Sequence, residues 1–167
     1  MKRQRKKYQT PTRPWDKARL ETEKTILKNF GLKSKREIWR AEAVLRKYRR
    51  LARELAARRD ETKEKTLMDR LVKFGIVMKD SSLDNILGLT VEDFLNRRLQ
   101  TVLHKKGLAN TPKQARQFIT HGQVMIDNRR VSYPSYMVPV EEEDKLVVRI
   151  IPVKKLVASE ENGRTAN

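Results

Sequence analysis

The chain contains no cysteine and only two histidines, His104 and His121, in 167 residues. Disulfides and thiolate metal sites are thereby excluded, and two separated imidazoles do not assemble a zinc site. Glycines number six and lie scattered, so there is no Gly-rich loop to cradle a phosphate. With no cysteine nucleophile and no spaced His and acid cluster either, no catalytic constellation is legible. No apolar run is long enough to span a bilayer, and the opening MKRQRKK leads into Pro and Trp instead of an apolar leader core. An intracellular protein without a membrane role, a small-molecule substrate or a cofactor is the expectation. Acids are also in short supply: 21 Asp and Glu stand against 39 Lys and Arg, a net charge of +18. That excess favours a polyanion partner, nucleic acid before an anionic membrane. A hydrophobic share of 38% allows a modest core in one or two small domains.

What the chain does have is concentrated between Arg97 and Lys145. Thr111 is a good N-cap, Pro112 suits the first helical position, and Gly122 suits the left-handed residue that ends a helix. A helix of about three turns is predicted between them. At 100° per residue Ala115, Phe118 and Ile119 share one face, while Lys113, Arg116, Gln117 and Thr120 share the opposite one with His121 at its border. The plain alternative is a solvated surface helix. Against it stands sign: from Arg97 to Pro139 there are eight Lys or Arg and one acid, Asp127. Upstream, Thr90-Val91-Glu92-Asp93 opens a helix that Lys105-Lys106-Gly107 closes, with Val91, Phe94, Leu95, Leu99, Val102 and Leu103 as its buried stripe. Arg98 falls at the edge of that stripe and should either pair with a carboxylate or reach out from a lip. Downstream, Val124-Met125-Ile126 and Val131 flank a turn at Asp127-Asn128-Arg129-Arg130, and Leu146 to Ile151 reads as a strand. Glu141 to Asp144 reads as a turn at the strand edge, facing away from a polyanion.

These residues carry a resemblance. Gly107-Leu108-Ala109-Asn110-Thr111, Ala115-Arg116-Gln117, His121-Gly122 and Pro134-Ser135-Tyr136 together resemble the RNA-binding domain of the small-subunit ribosomal protein S-four family. The likeness spans about fifty residues without a gap. Some bacterial relatives carry a Cys-rich zinc knuckle near the N-terminus, so its absence points to the archaeal or eukaryotic type. The resemblance implies direct, early binding to small-subunit ribosomal RNA, nucleation of the subunit body, neighbours in ribosomal proteins S-five and S-twelve, and an influence on decoding accuracy. The same domain is appended to pseudouridine synthases and tyrosyl-tRNA synthetases, but this chain has no room for a separate catalytic domain. The alternative is a free-standing RNA chaperone or ribosome-rescue factor. An orphaned fragment of an RNA-modifying enzyme would need a missing catalytic chain.

The N-terminal half discriminates among these. Residues 1–15 read as a basic extended arm, residues 16–87 as a helical region, residues 88–157 as the RNA-binding domain and residues 158–167 as a disordered tail. The arm brings Lys2, Arg3, Arg5, Lys6 and Lys7, and its Trp15 is expected to pack into the fold and not to stack on a base. A helix from Asp16 to Phe30 ends at Gly31. Ser34-Lys35-Arg36-Glu37 reads as a capping box for the longest helix. There Ile38, Ala41, Leu45, Tyr48, Ala52 and Leu55 form a packing seam, expected to meet other helices of the same chain. Around it sit Arg36, Arg40, Arg46, Lys47, Arg49, Arg50, Arg53, Arg58 and Arg59. Residues 1–60 hold 21 basic and 7 acidic side chains, whereas residues 61–96 hold 5 and 7 and read as a hinge, with a helix capped by Thr62 and ended by Gly75. A solvated ion-paired face would need near parity, so the helical half is expected to touch phosphates.

The predicted architecture is α+β: a basic helical N-terminal part, then a small domain of two helices packed on a short antiparallel sheet. The residues expected to contact RNA are Lys2, Arg3, Arg5, Lys6 and Lys7 of the arm, then Arg46, Arg49, Arg50 and Arg53 of the long helix. In the central domain they are Arg97, Arg98, Lys105, Lys106, Thr111, Lys113, Arg116, Gln117, Thr120, His121, Arg129, Arg130 and Tyr136.

Overall fold

The structure, a computed structural model, describes residues 6–149 except 59 and 80. Lys2, Arg3, Arg5, Arg59, the end of the predicted last strand and the tail therefore lie outside the described residues. The elements run α1 (Lys17–Asn29), α2 (Lys35–Arg58), α3 (Glu61–Lys73), α4 (Leu83–Gly88), α5 (Val91–Asn96), α6 (Leu99–Lys105), α7 (Pro112–Thr120), β1 (Val124–Ile126), β2 (Arg129–Arg130), α8 (Val140–Glu143) and β3 (Leu146–Val148). The α+β expectation holds.

Two cores organise these elements. On α2 the seam buries Ile38, Leu45, Ala52 and Leu55, with Ala41 and Tyr48 half-buried. It packs on α1, α3, α4 and α5 of the same chain. Leu67, Leu71, Val77, Ile86, Leu89 and Phe94 complete the first core, and Tyr48 stacks on Phe94 at 5.6 Å. Each large aliphatic side chain buried there contributes roughly 1.5–3 kcal/mol. The second core gathers Leu99, Val102 and Leu103 of α6, Ala115 and Ile119 of α7, and Val124, Ile126, Val131, Val138 and Leu146 from the sheet region. Strand order is β2-β1-β3, all antiparallel, with Ile126 opposite Arg129 and Leu146.

Several local expectations need correction. The single helix expected from Thr90 to Lys106 is broken at Arg97-Arg98, because Leu99 N–H donates to Tyr136 C=O at 2.8 Å and Val138 N–H donates to Arg97 C=O at 3.0 Å. This pairing with a segment forty residues away, centred on an Arg98–Met137 bridge, takes Arg98 into extended backbone at φ −73°, ψ 142°. Asp60 and not Thr62 occupies the N-cap of α3. The tight turn is confined to Asp127 (φ 47°) and Asn128 (φ 64°), so Arg129 and Arg130 belong to a strand. Glu141–Asp144 is not a bare turn: Glu141, Glu142 and Glu143 fill the single turn of α8 after Pro139, where negative charge suits the helix N-terminus, and Asp144 is its C-cap. Trp15 is 89% exposed and does not pack into the fold.

Candidate RNA interface

Helix α7 forms as its punctuation dictates. The Thr111 side chain accepts from Gln114 N–H at 3.2 Å, Pro112 opens the helix, and Gly122 turns the chain out at φ +68°. Ala115 and Ile119 are fully buried, while Phe118 is half-buried against the same core. Lys113, Gln117, Thr120 and His121 are exposed.

Arg116, expected to be a free donor in the middle of that face, is instead engaged across the molecule. Its two terminal nitrogens donate to both carboxylate oxygens of Glu37, at 2.9 and 3.1 Å, and one also reaches Gln100 Oε1 at 3.3 Å. Arg98 donates to the same carboxylate at 2.7 Å and is only 7% exposed. Arg98, expected to contact RNA, is thus almost wholly buried and paired with an acid. Burial pushes the Glu37 carboxyl up, but the hydrogen bonds and charges of Arg116 and Arg98 outweigh that and hold it below the usual carboxylate range. Beside this triad Gln100 Nε2 reaches the C=O groups of Phe30, Gly31 and Pro112, each at 3.0 Å. Gly31, at φ +58°, lets the end of α1 come so close that a Cβ there would stand 2.8 Å from Pro112 Cβ. Glu37 and Gln100 thus lock the two halves together. Local reading saw only half of Glu37: its side chain does accept from Lys33 N–H at 3.2 Å, a helix-start bond, but its main partners are 61 and 79 residues away.

Other expected contacts are also taken up internally. Arg49 donates to Leu89 C=O at 2.6 Å. Arg97 spans Glu143 at 3.0 Å and Val138 C=O at 3.1 Å. Lys106 pairs with Asp144 at 2.9 Å. The Tyr136 hydroxyl donates to Glu142 at 2.7 Å; burial first, then that carboxylate, raises its pKa.

Other cations stay open to solvent. Beside the lock lies a cleft of about 460 Å³ lined by Lys33, Ser34, Arg36 and Arg40 from one half and by Arg98, Arg116, Pro134 and Ser135 from the other, with Glu37 as its acid; of its cations Lys33, Arg36 and Arg40 are exposed. Lys33, Arg36 and Arg40 were not singled out from sequence, although the last two stood in the charge census of the long helix. Beside Arg40 the arm lies on α2: Tyr8 meets the Trp39 ring at 5.8 Å, and the Arg40 guanidinium sits 5.9 Å from the Tyr8 centroid. Lys6, Lys7, Arg46, Lys47 and Arg50 surround a second hollow of about 680 Å³. Arg53, Lys105, Lys113, Arg129 and Arg130 are exposed as well. Among the described residues no group of three or more His, Cys, Asp or Glu side chains could hold a metal, and no helix is long and apolar enough to cross a membrane.

Comparison with known proteins bears on both halves. Residues 97–144 match the S4 domain, and residues 2–96 match the Ribosomal protein S4/S9 N-terminal domain. Over 169 aligned residues the chain is 47% identical to the small ribosomal subunit protein uS4 of Nanoarchaeum equitans, covering 98% of this chain and 93% of that one. The chain belongs to the uS4 family. Two further uS4 proteins, from Korarchaeum cryptofilum and Methanothermobacter thermautotrophicus, are each 45% identical, over 87% and 85% of this chain and 89% and 85% of theirs. The two uS4 family segments meet at Arg97, where the helix breaks and the first core gives way to the second. Ribosomal uS4 is a structural family, not an enzymatic one.

Proposed function

We propose that this chain is a structural constituent of the small ribosomal subunit in the cytoplasm, binding small-subunit ribosomal RNA directly through the cleft between its halves and the basic surface of α2. One observation carries the reading: the lock of Glu37, Arg98, Arg116 and Gln100 joins the two halves at a concavity that presents the exposed cations Lys33, Arg36 and Arg40 of the first half, with its single acid already paired to the two arginines of the second. Cations held at fixed spacing release counterions from several phosphates at once and read the shape of a folded RNA, with little information drawn from bases. Nucleating the subunit body, lying beside ribosomal proteins S-five and S-twelve and contributing to translational accuracy complete the proposal.

The test is a salt titration. Arg46, Arg50 and Arg53 of the α2 surface are changed to Gln in one variant, and the cleft cations Lys33, Arg36 and Arg40 in another; each is titrated against a small-subunit ribosomal RNA transcript. For every phosphate that a variant no longer neutralises, the plot of log affinity against log salt should become shallower by about 0.7–0.9. Unchanged slopes in folded protein would mean that these cations face solvent or protein. Release of the chain from mature subunits by high-salt washing would favour the free-standing factor instead.

A further inference from the structure

The most exposed large apolar side chain among the described residues is Trp15, at 89%, and it is not on a loose segment. Arg19 Nη2 donates to Arg13 C=O at 2.7 Å and to Pro14 C=O at 3.2 Å, fastening the turn that carries the indole to the first turn of α1. Arg19 also meets Glu23 at 3.5 Å; Glu23, only 3% exposed, in addition takes Lys35 at 3.2 Å and the Trp39 indole N–H at 3.0 Å. Trp39 in turn holds Tyr8. The segment is therefore fastened at one end by Arg19 and at the other by the Tyr8–Trp39 contact, Arg19 and Trp39 both meeting Glu23, and Trp15 is held outward between them. Pro11 and Pro14 stiffen the intervening backbone further. From Lys6 to Arg19 there are five cations and one acid, Asp16. A flat indole presented to water on a stiff, basic mount has little ordering left to lose on binding, and its charge setting suits a polyanion.

We propose that Trp15 is a stacking platform for an unpaired nucleobase of the RNA, a site separate from the phosphate-binding cleft. The inference rests on the RNA-binding reading above but adds a different contact chemistry. Any base offers a π-face, so sequence preference is not required. Stacking releases no counterion, so its removal must leave the salt slope where it was.

Trp15→Ala, Trp15→Leu and Trp15→Phe are made in the full chain, where so exposed a residue does not threaten the fold, and titrated against the small-subunit ribosomal RNA transcript. Trp15→Ala and Trp15→Leu should each weaken binding about five- to a hundredfold at constant salt slope, with Trp15→Phe recovering most of the affinity. Trp15→Phe leaves Trp39 as the sole tryptophan, so wild-type emission less that of Trp15→Phe isolates the Trp15 indole; that difference should be quenched and shielded from acrylamide when RNA binds. Wild-type affinity in Trp15→Ala, or Leu serving as well as Phe, overturns the proposal. Shielding that appears only when other subunit proteins are added assigns Trp15 to a protein partner and overturns it too. If the wild-type chain itself fails to bind the transcript, the proposed function falls; if it binds while Trp15 is indifferent, only this inference falls.

Discussion

Replacing Glu37 by Gln keeps the shape of the side chain and removes its charge, leaving Arg98 and Arg116 facing each other without an anion. The side chains of Glu37, Arg98 and Arg116 are 12%, 9% and 24% exposed. Removing one partner of a buried pair costs about 3–5 kcal/mol because the remaining charge stays desolvated. Gln retains one acceptor oxygen, and Arg116 can turn into the cleft and regain water, so a loss of about 2–4 kcal/mol is expected at pH 7. With a urea m-value of about 1–3 kcal/mol per molar, the unfolding midpoint should fall by about 1–2 M. The pH dependence gives a second readout. Because the folded pKa of Glu37 lies below its unfolded value of about 4.3, its stabilisation is fully present above that value and is lost as pH falls through the folded pKa. Burial raises Glu42 and a hydrogen bond from Lys63 lowers Asp60, but both contribute alike to wild type and variant and cancel in the difference. The stability gap between wild type and Glu37→Gln should therefore be constant near neutrality and narrow on acidification below about pH 4. A gap under about 0.5 kcal/mol at pH 7, the scale of an ordinary surface substitution, would refute the lock.

Arg116→Ala should now lower stability by about 1–3 kcal/mol, since it strips hydrogen bonds from a buried carboxylate, whereas Lys113→Ala on the open face of α7 should leave the urea midpoint unchanged and weaken RNA binding alone. A reversed pattern would mean that the helix is rotated. Phe118→Ala should cost about 2–4 kcal/mol in urea, less than a fully enclosed ring, because its side chain is half-buried at the core margin. Gly31→Ala should destabilise by more than about 1 kcal/mol, from positive φ and from the clash with Pro112 together; thermal unfolding detects it, and a neutral result would show that the halves separate easily.

Much of the fold could be read from the chain because its signals are local. The Thr111–Pro112 start and Gly122 stop of α7, the stops at Gly31 and Gly75, and the Asp127-Asn128 turn each depend on the preferred backbone angles of one or two residues. The seam of α2 depends only on period. What escaped is non-local. Nothing between Thr90 and Lys106 breaks helical spacing; the break comes from backbone pairing with residues 136–138. Arg98 and Arg116 read as free donors because the acid that claims them stands in another helix, where it also satisfies the pattern of a capping box. The acids that occupy Arg97, Lys106 and Tyr136 all lie in 142–144, a stretch whose charge read as a solvated edge. Sequence charge counts locate a basic surface but do not say which cations are spent within the protein.

The span of the lock has a consequence for timing. Glu37 and Arg116 are 79 residues apart, and at about 5–20 residues per second a ribosome makes the second roughly 4–16 s after the first. For most of that interval the carboxylate and the carbonyls of Phe30 and Gly31 exist without the side chains that will hold them, and Arg116 is the last of these to be made. The inter-half cleft is consequently a late product of synthesis: a nascent chain presents its basic long helix first, and acquires a shaped concavity only when the α7 segment has emerged and docked.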